Sequence, residues 1–413
     1  LEGTVDNLDI APQQTGIVDL GFTADDIREA AEVSCLSCSD VYLNVCYNLR
    51  KKDGILPAGE QVAYDQICLN EVAQPKFDGS AIAGTPVYSQ DGSRHEFTGQ
   101  MSWSGTMAGR ALPWKAVFDA QKGALVSYVL GDDELVSEPL MPCFGRAMTE
   151  NDLGARFERR MKGWLYPDFV VKEFNVERMD NCCLVTIGYV PFRTTPADMK
   201  KNDECLADVR MSFKVYADGT IEGVETLTDG GNLSKAQVLP RFGMEFAMPG
   251  DFSVFEFYGN GPFENYDDRN SSALKGHYVQ RVEDQYHYGY VRPQESGTKT
   301  QLRWIKVTDD NGMGLMITAD ERFSASALPV SRRQIDMSIS GGGRSDGGDQ
   351  RHSLELKKYA FENQRSLGKT YVNFDLRQMG LGCVTSWGAW PREEHLVKPQ
   401  EYQFKICITP VMN

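Results

Sequence analysis

Short alternating runs of apolar and polar residues, cut by turn dipeptides, dominate the chain. In FKVYADGTIEGVETL, the apolar Phe213, Val215, Ile221 and Val224 flank Asp218-Gly219. That is the pattern of two half-buried strands joined by a tight hairpin. LRWIKVTDDNGMGLMITA repeats it around Asn311-Gly312, and AVFDAQKGALVSYVL around Lys122-Gly123. YVNFDL and YQFKICITP read as two more strands. Helical periodicity is scarce; TADDIREAAE (23–32) is the best candidate, with Thr23 as its N-cap.

Many short strands joined by Gly, Asn and Asp turns predict an all-β fold of antiparallel sandwiches. A chain of 413 residues is long enough for about two or three domains. NEVAQPKFDGSAIAGTP, with Pro75, Gly79, Gly84 and Pro86, reads as a linker. The chain is therefore divided into residues 1–80 and 81–413. The first part carries enough strand-like runs for a small immunoglobulin-like sandwich. The second shows no comparable seam and is one large sandwich or two domains. SGGGRSDGGDQ (340–350) has no preceding strand and no G-K-S/T, so it reads as a surface loop rather than a phosphate cradle.

Charge and cysteine content narrow the function classes. The net charge is −15 and no basic patch clusters along the sequence, which sets aside nucleic acid and anionic lipid as partners. Neutral ligands such as sugars stay open. No apolar run approaches the roughly 20 residues of a membrane span. LEGTVDNLDIAPQQ has neither the basic start nor the apolar stretch of a signal peptide. The missing initiating Met suggests a piece of a longer protein, whose compartment is cytoplasmic or periplasmic. Ten cysteines are scattered, most in apolar runs (Cys46, Cys68, Cys182, Cys183, Cys407), and read as small buried hydrophobes. Cys35 and Cys38 form a C-x-x-C with no second pair at zinc-like spacing. The five histidines lack metal-ligand spacing, so no metal site is expected.

Carboxylates are the richer set. RAMTEND (146–152), FYGNGPFENYDDR (257–269), VEDQYHY (282–288) and VRPQESG (291–297) combine acids with other polar or aromatic residues. Two carboxylates roughly 5 to 9 Å apart suit glycoside hydrolysis. Arg146, Arg269 and Arg292, however, accompany three of these stretches. A carboxylate paired with Arg has a lowered pKa, which suits locking a loop better than donating a proton. SWGAW (386–390) presents Trp387 and Trp390 beside Gly388 and Pro391. Rings on such a loop either stack on sugars or plug a core.

RAMTEND followed by LG, then FYGNGPFENYDDR, YVRPQESG and MGLGCVTSWG, occur in that order at suitable spacing. Together they closely resemble the small-chain domain of the large bacterial β-galactosidases of glycoside hydrolase family 2. That family carries R-A-P-T-D-N-D, W-x-G-x-G-P-x-E-N-Y-x-D-R, Y-x-x-P-Q-E-N-G and M-G-x-G-G-x-x-S-W. LDIAPQQTGIVDLGF and LPAGEQVAYDQICL look like the immunoglobulin-like domain that precedes it, so the resemblance covers essentially the whole chain. It implies domains four and five of a five-domain enzyme, the fifth a "supersandwich" of the galactose mutarotase type. It also implies that the catalytic glutamates sit on a (β/α)₈ barrel outside this chain, with no catalytic residue within it. The barrel and a β-galactoside are then the expected partners, in a homo-oligomeric parent. Mg and Na, where the parent uses them, are bound mainly elsewhere, and this chain holds no cofactor.

The resemblance makes Trp387, in MGLGCVTSW, the platform for the aglycone sugar, with Trp390 as alternative. Arg146, Asn151, Asp152, Glu264, Asn265, Arg269, Arg292 and Glu295 become structural residues near the pocket. The sequence departs from the family pattern at Cys383, where the second Gly usually sits, at Val384 and Thr385, and at Met148 and Glu150. Two rival readings remain. One is a free-standing carbohydrate-binding sandwich, and the other a mutarotase-like enzyme using His277 or His287.

Overall fold

A computed structural model describes residues 2–5, 10–23, 25–27, 29, 40–102, 111–192, 206–335 and 368–412. The C-x-x-C pair Cys35 and Cys38, and the glycine-rich stretch 340–350, lie outside these residues. The chain divides into two compact units, with the seam between Ala73 and Gln74.

In the smaller unit the described strands are β1 (Val41–Asn48) and β2 (Gln61–Asn70), paired antiparallel. Among the described residues of this unit no further strand pairs with the ribbon, and Cys46 and Cys68 on it are exposed rather than buried. The Thr23 hydroxyl accepts from the Asp26 N–H at 3.3 Å, and the Asp26 carboxylate accepts from the Thr23 N–H at 2.6 Å. This reciprocal cap starts the helical turn at 25–27.

Among its described residues the regular structure of the larger unit is antiparallel sheet, with a few short helical turns. Its strands are β3 (Val87–Asp91), β4 (Arg94–Ser102), β5 (Ala111–Asp119), β6 (Ala124–Leu130), β7 (Asp133–Glu134) and β8 (Glu138–Cys143). There follow β9 (Asp168–Arg178), β10 (Cys182–Phe192), β11 (Asp208–Tyr216), β12 (Ile221–Thr228), β13 (Arg241–Pro249) and β14 (Val254–Gly261). The last are β15 (Leu274–Arg281), β16 (Lys299–Thr308), β17 (Gly314–Leu328), β18 (Lys369–Gln378) and β19 (Tyr402–Val411).

Pairing runs β3-β4-β5-β6-β8-β13-β18-β17-β19-β12-β11-β10-β9, and β17 also carries a branch β16-β14-β15. β17 is the pivot: Gly314–Ala319 pairs with β19, whereas Ser324–Leu328 pairs with β18. The sheet thus curls around one core, which gathers Phe97, Phe118, Phe213, Phe242, Phe257, Phe374 and Phe404.

The three hairpins read from turn dipeptides are present as β5–β6, β11–β12 and β16–β17. At Asp218-Gly219, Gly219 has φ +90°, and a Cβ there would lie 2.6 Å from the Tyr128 hydroxyl. Only glycine suits both conditions. Tyr128 donates to the Gly219 carbonyl and Trp114 to the Ala217 carbonyl, so this hairpin tip plugs onto β5 and β6.

Candidate functional site

Arg146 follows β8 and is fully buried. Its Nη2 lies 2.9 Å from Asp152 Oδ1 and its Nε 3.2 Å from Oδ2, a two-pronged pair. The same guanidinium donates to the carbonyls of Met379 and Gly380. Asp152 serves twice, because it also accepts from the Thr149 N–H at 3.0 Å while the Thr149 hydroxyl accepts from the Asp152 N–H. This capping box starts the helix Glu150–Gly154. T-x-x-D just before that helix was the signal for it in the sequence, and Thr149 was not singled out.

That helix carries the grip on loop 379–391. Asn151 donates to the carbonyls of Leu381 and Ala389 at 2.8 and 3.1 Å, and its Oδ1 accepts from the Gly388 N–H at 2.5 Å. A second grip comes from FYGNGPFENYDDR. The two oxygens of Asp268 accept from the N–H groups of Leu381 and Gly382, each at 2.8 Å. Asp268 was not among the residues expected to matter. Inside the loop, Cys383 donates its N–H to the Ala389 carbonyl at 3.0 Å. Cys383 has φ +64°, a backbone region that favours glycine, and the family pattern has glycine there.

The two rings of this loop are mounted differently. Trp387 is 64% exposed. A Cβ on Gly154 would come within 2.8 Å of its indole, so the ring rests on a bare stretch of helix backbone. Trp390 is part of the core packing. Its ring meets Phe157 edge-on at 5.5 Å, and the Arg160 guanidinium lies over it at 5.0 Å.

Glu264 and Arg269 form a pair at 3.2 Å. Glu264 also accepts from the Tyr290 hydroxyl and from the Gly297 N–H, which ties the turn to VRPQESG. Burial, with the Glu264 carboxylate beside it, pushes the Tyr290 phenol up to about 12, so it stays a donor. Asn265 holds the start of β16: its N–H donates to the Thr298 carbonyl, and its Oδ1 accepts from the Thr300 N–H. Arg292 is half-buried, 3.8 Å from Glu150.

Glu295 is buried, and its Oε1 accepts from Gln378, just before the loop, at 3.2 Å. The same Oε1 is 3.2 Å from Arg241, which is also 3.2 Å from Asp375. One guanidinium cannot neutralise two buried carboxylates. Burial pushes Asp375 up to about 8 against the pull of Arg241, and the charge of Glu295 adds to the push. Among the described residues no group of three or more His, Cys, Asp or Glu side chains is placed to hold a metal ion.

Four separate motifs therefore converge on one exposed loop and its neighbours. A family described as beta galactosidase small chain matches residues 110–408. The chain belongs to that family. All four motifs lie within the matched residues. A β-galactosidase of Priestia megaterium is 28% identical over 84% of this chain, which spans 29% of that protein. The β-galactosidase BgaC of Bifidobacterium adolescentis is 26% identical over 95%, and the chain spans 33% of it. The chain thus covers about a third of the length of these relatives. Among solved structures, a galactose mutarotase-like protein from Clostridium acetobutylicum aligns with 76% of this chain and 98% of its own, at 8% identity and a TM-score of 0.36.

Proposed function

We propose that this chain is the non-catalytic C-terminal portion of a β-galactosidase of glycoside hydrolase family 2. In the parent, two barrel glutamates outside this chain would hydrolyse a terminal β-galactoside by double displacement. The chain closes one wall of that pocket. Trp387 offers the aglycone sugar an apolar face on which its C–H groups stack.

The observation that carries this reading is the mounting of Trp387. An exposed indole would ordinarily sample several rotamers, and ordering it on binding has an entropic cost. Here Gly154 backs the ring, and Asn151 and Asp268 fix the loop that bears it. That is how a contact surface is held ready before a ligand arrives. Glu264, paired with Arg269 and bonded to Tyr290 and Gly297, has its oxygens committed to holding a loop.

The test is an assay of the purified chain with an aryl β-galactoside. No turnover above the uncatalysed rate is expected. Turnover that a galactose-type inhibitor suppresses would overturn the assignment of the catalytic acids to the barrel.

A further inference from the structure

We propose that a cleft of about 760 Å³ in the larger unit is a binding site for a neutral saccharide, separate from the Trp387 ring. The start of β16, the middle of β17 and the end of β18 line it on one side, and segment 393–402 lines it on the other. The volume falls within the roughly 300–1,000 Å³ of small-molecule sites. It suits one or two sugar rings.

Charge selects the class of ligand. Arg322, Arg377 and Lys398 line the cleft together with Asp267, Glu393 and Glu394. The formal charges balance, so the cleft offers no net field to a cation or an anion. Apolar ligands are disfavoured by what the surface shows. The lining Phe323, Leu376 and Val397 are buried in the core, and the partly buried Leu396 and Tyr402 add limited apolar surface, so amides, hydroxyls and charged groups make up most of the lining residues. Gln301 and Gln400 each offer a donor and an acceptor, as Ser324 does. A neutral ligand dense in hydroxyl groups needs that mixture.

The cleft is also built in advance. His395 and Asp267 meet at 2.6 Å in the lining. The His395 carbonyl accepts from the Gly380 N–H at 2.9 Å, and Val397 bridges to Leu239. On the strand side, the β16 ladder breaks register between Lys299 and Leu302. Gln301 sits at that break with φ +55°, a conformation that costs a non-glycine residue free energy and clusters at ligand sites. Asp267 lines the cleft while the next residue, Asp268, binds the Trp387 loop. The two features share a turn but no lining side chain.

The inference stands without the proposed role of Trp387. Calorimetric titration of the purified chain with lactose is the test, with galacturonate as the anionic control. Arg377→Ala combined with Gln400→Ala, both at exposed positions, should weaken lactose binding about tenfold or more, the worth of one or two hydrogen bonds. Val87→Ala, at an exposed position on β3 outside the cleft lining, should leave it unchanged. In the wild-type chain, lactose should shift the side-chain amide resonances of Gln301 and Gln400, which keeps the test valid if the double variant misfolds. No lactose binding, a loss confined to Trp387→Ala, or tighter binding of galacturonate would each overturn the proposal.

Discussion

Trp387 and Trp390 are three residues apart on one loop and have opposite surroundings. Behind Trp387 lies Gly154, with no side chain, and its other side meets solvent. Behind and above Trp390 lie Phe157 and Arg160. The helical stretch that backs one ring with glycine thus leads into the one that clasps the other with an aromatic and a cation. The difference shows that the partner on the inner side, not the ring, decides whether a loop tryptophan anchors or presents. Trp390 ties the loop to the core, so that Trp387 can face outward without the loop drifting.

The largest effect should come from removing the clamp common to both. Arg146→Ala leaves Asp152 as a buried, uncompensated charge and takes two donors from the loop carbonyls. Breaking a buried pair in this way costs about 3–5 kcal/mol. Urea denaturation should show that loss, and a midpoint within error of wild type would mean that the loop is held by other groups.

A pH series separates the loop from the core beneath it. Lys299 is buried with Gln285 and Gly297 as hydrogen-bond partners. Burial lowers its pKa from 10.5 to about 8, against a weaker opposing pull from Glu264. The unfolded chain therefore holds more protons than the folded one between these values, and this residue's contribution to stability rises with pH across that window. Relative to Lys299→Met, the wild type should gain about 2–3 kcal/mol from pH 8 to 10.5. A difference that stays flat would show Lys299 to be solvated. Trp387 exposure, read by iodide quenching, should not follow that titration.

Trp390→Ala comes next. Its ring is only partly buried, so the loss should be about 2 kcal/mol, below the 3–5 typical of a fully buried Trp. Thermal unfolding measures it. A cost below about 0.5 kcal/mol would mean that the ring does not anchor the loop.

The strands were legible because alternation and turn dipeptides are local signals. Asp218-Gly219, Asn311-Gly312 and Lys122-Gly123 each sit where two paired strands turn. The convergence of the motifs was less so. Asp268 binds Leu381 and Gly382, more than a hundred positions away, and nothing in DDR sets it apart from Asp267. Gly154 reads as an ordinary helix-end glycine until the indole over it is seen. Glu295 stood among the structural residues near the pocket by sequence, and its partner Arg241, on a distant strand, was not legible there. Burial of a polar residue is decided by which distant strands close over it, and local periodicity carries no record of that.

The smallest stability effect sharpens the comparison most. Trp387→Ala removes a ring that is 64% exposed and whose listener on the protein side is a glycine backbone, so little apolar area returns to water. Stability should change by no more than about 0.5 kcal/mol. The clamps through Asn151 and Asp268 use loop backbone atoms and survive the substitution. If Trp387→Ala instead unfolded the chain as readily as Trp390→Ala, the ring would be a structural plug. Both tryptophans would then anchor, and the loop would have no face to present. A variant that is fully stable and alters only what the neighbouring pocket accepts is the outcome a presented ring requires.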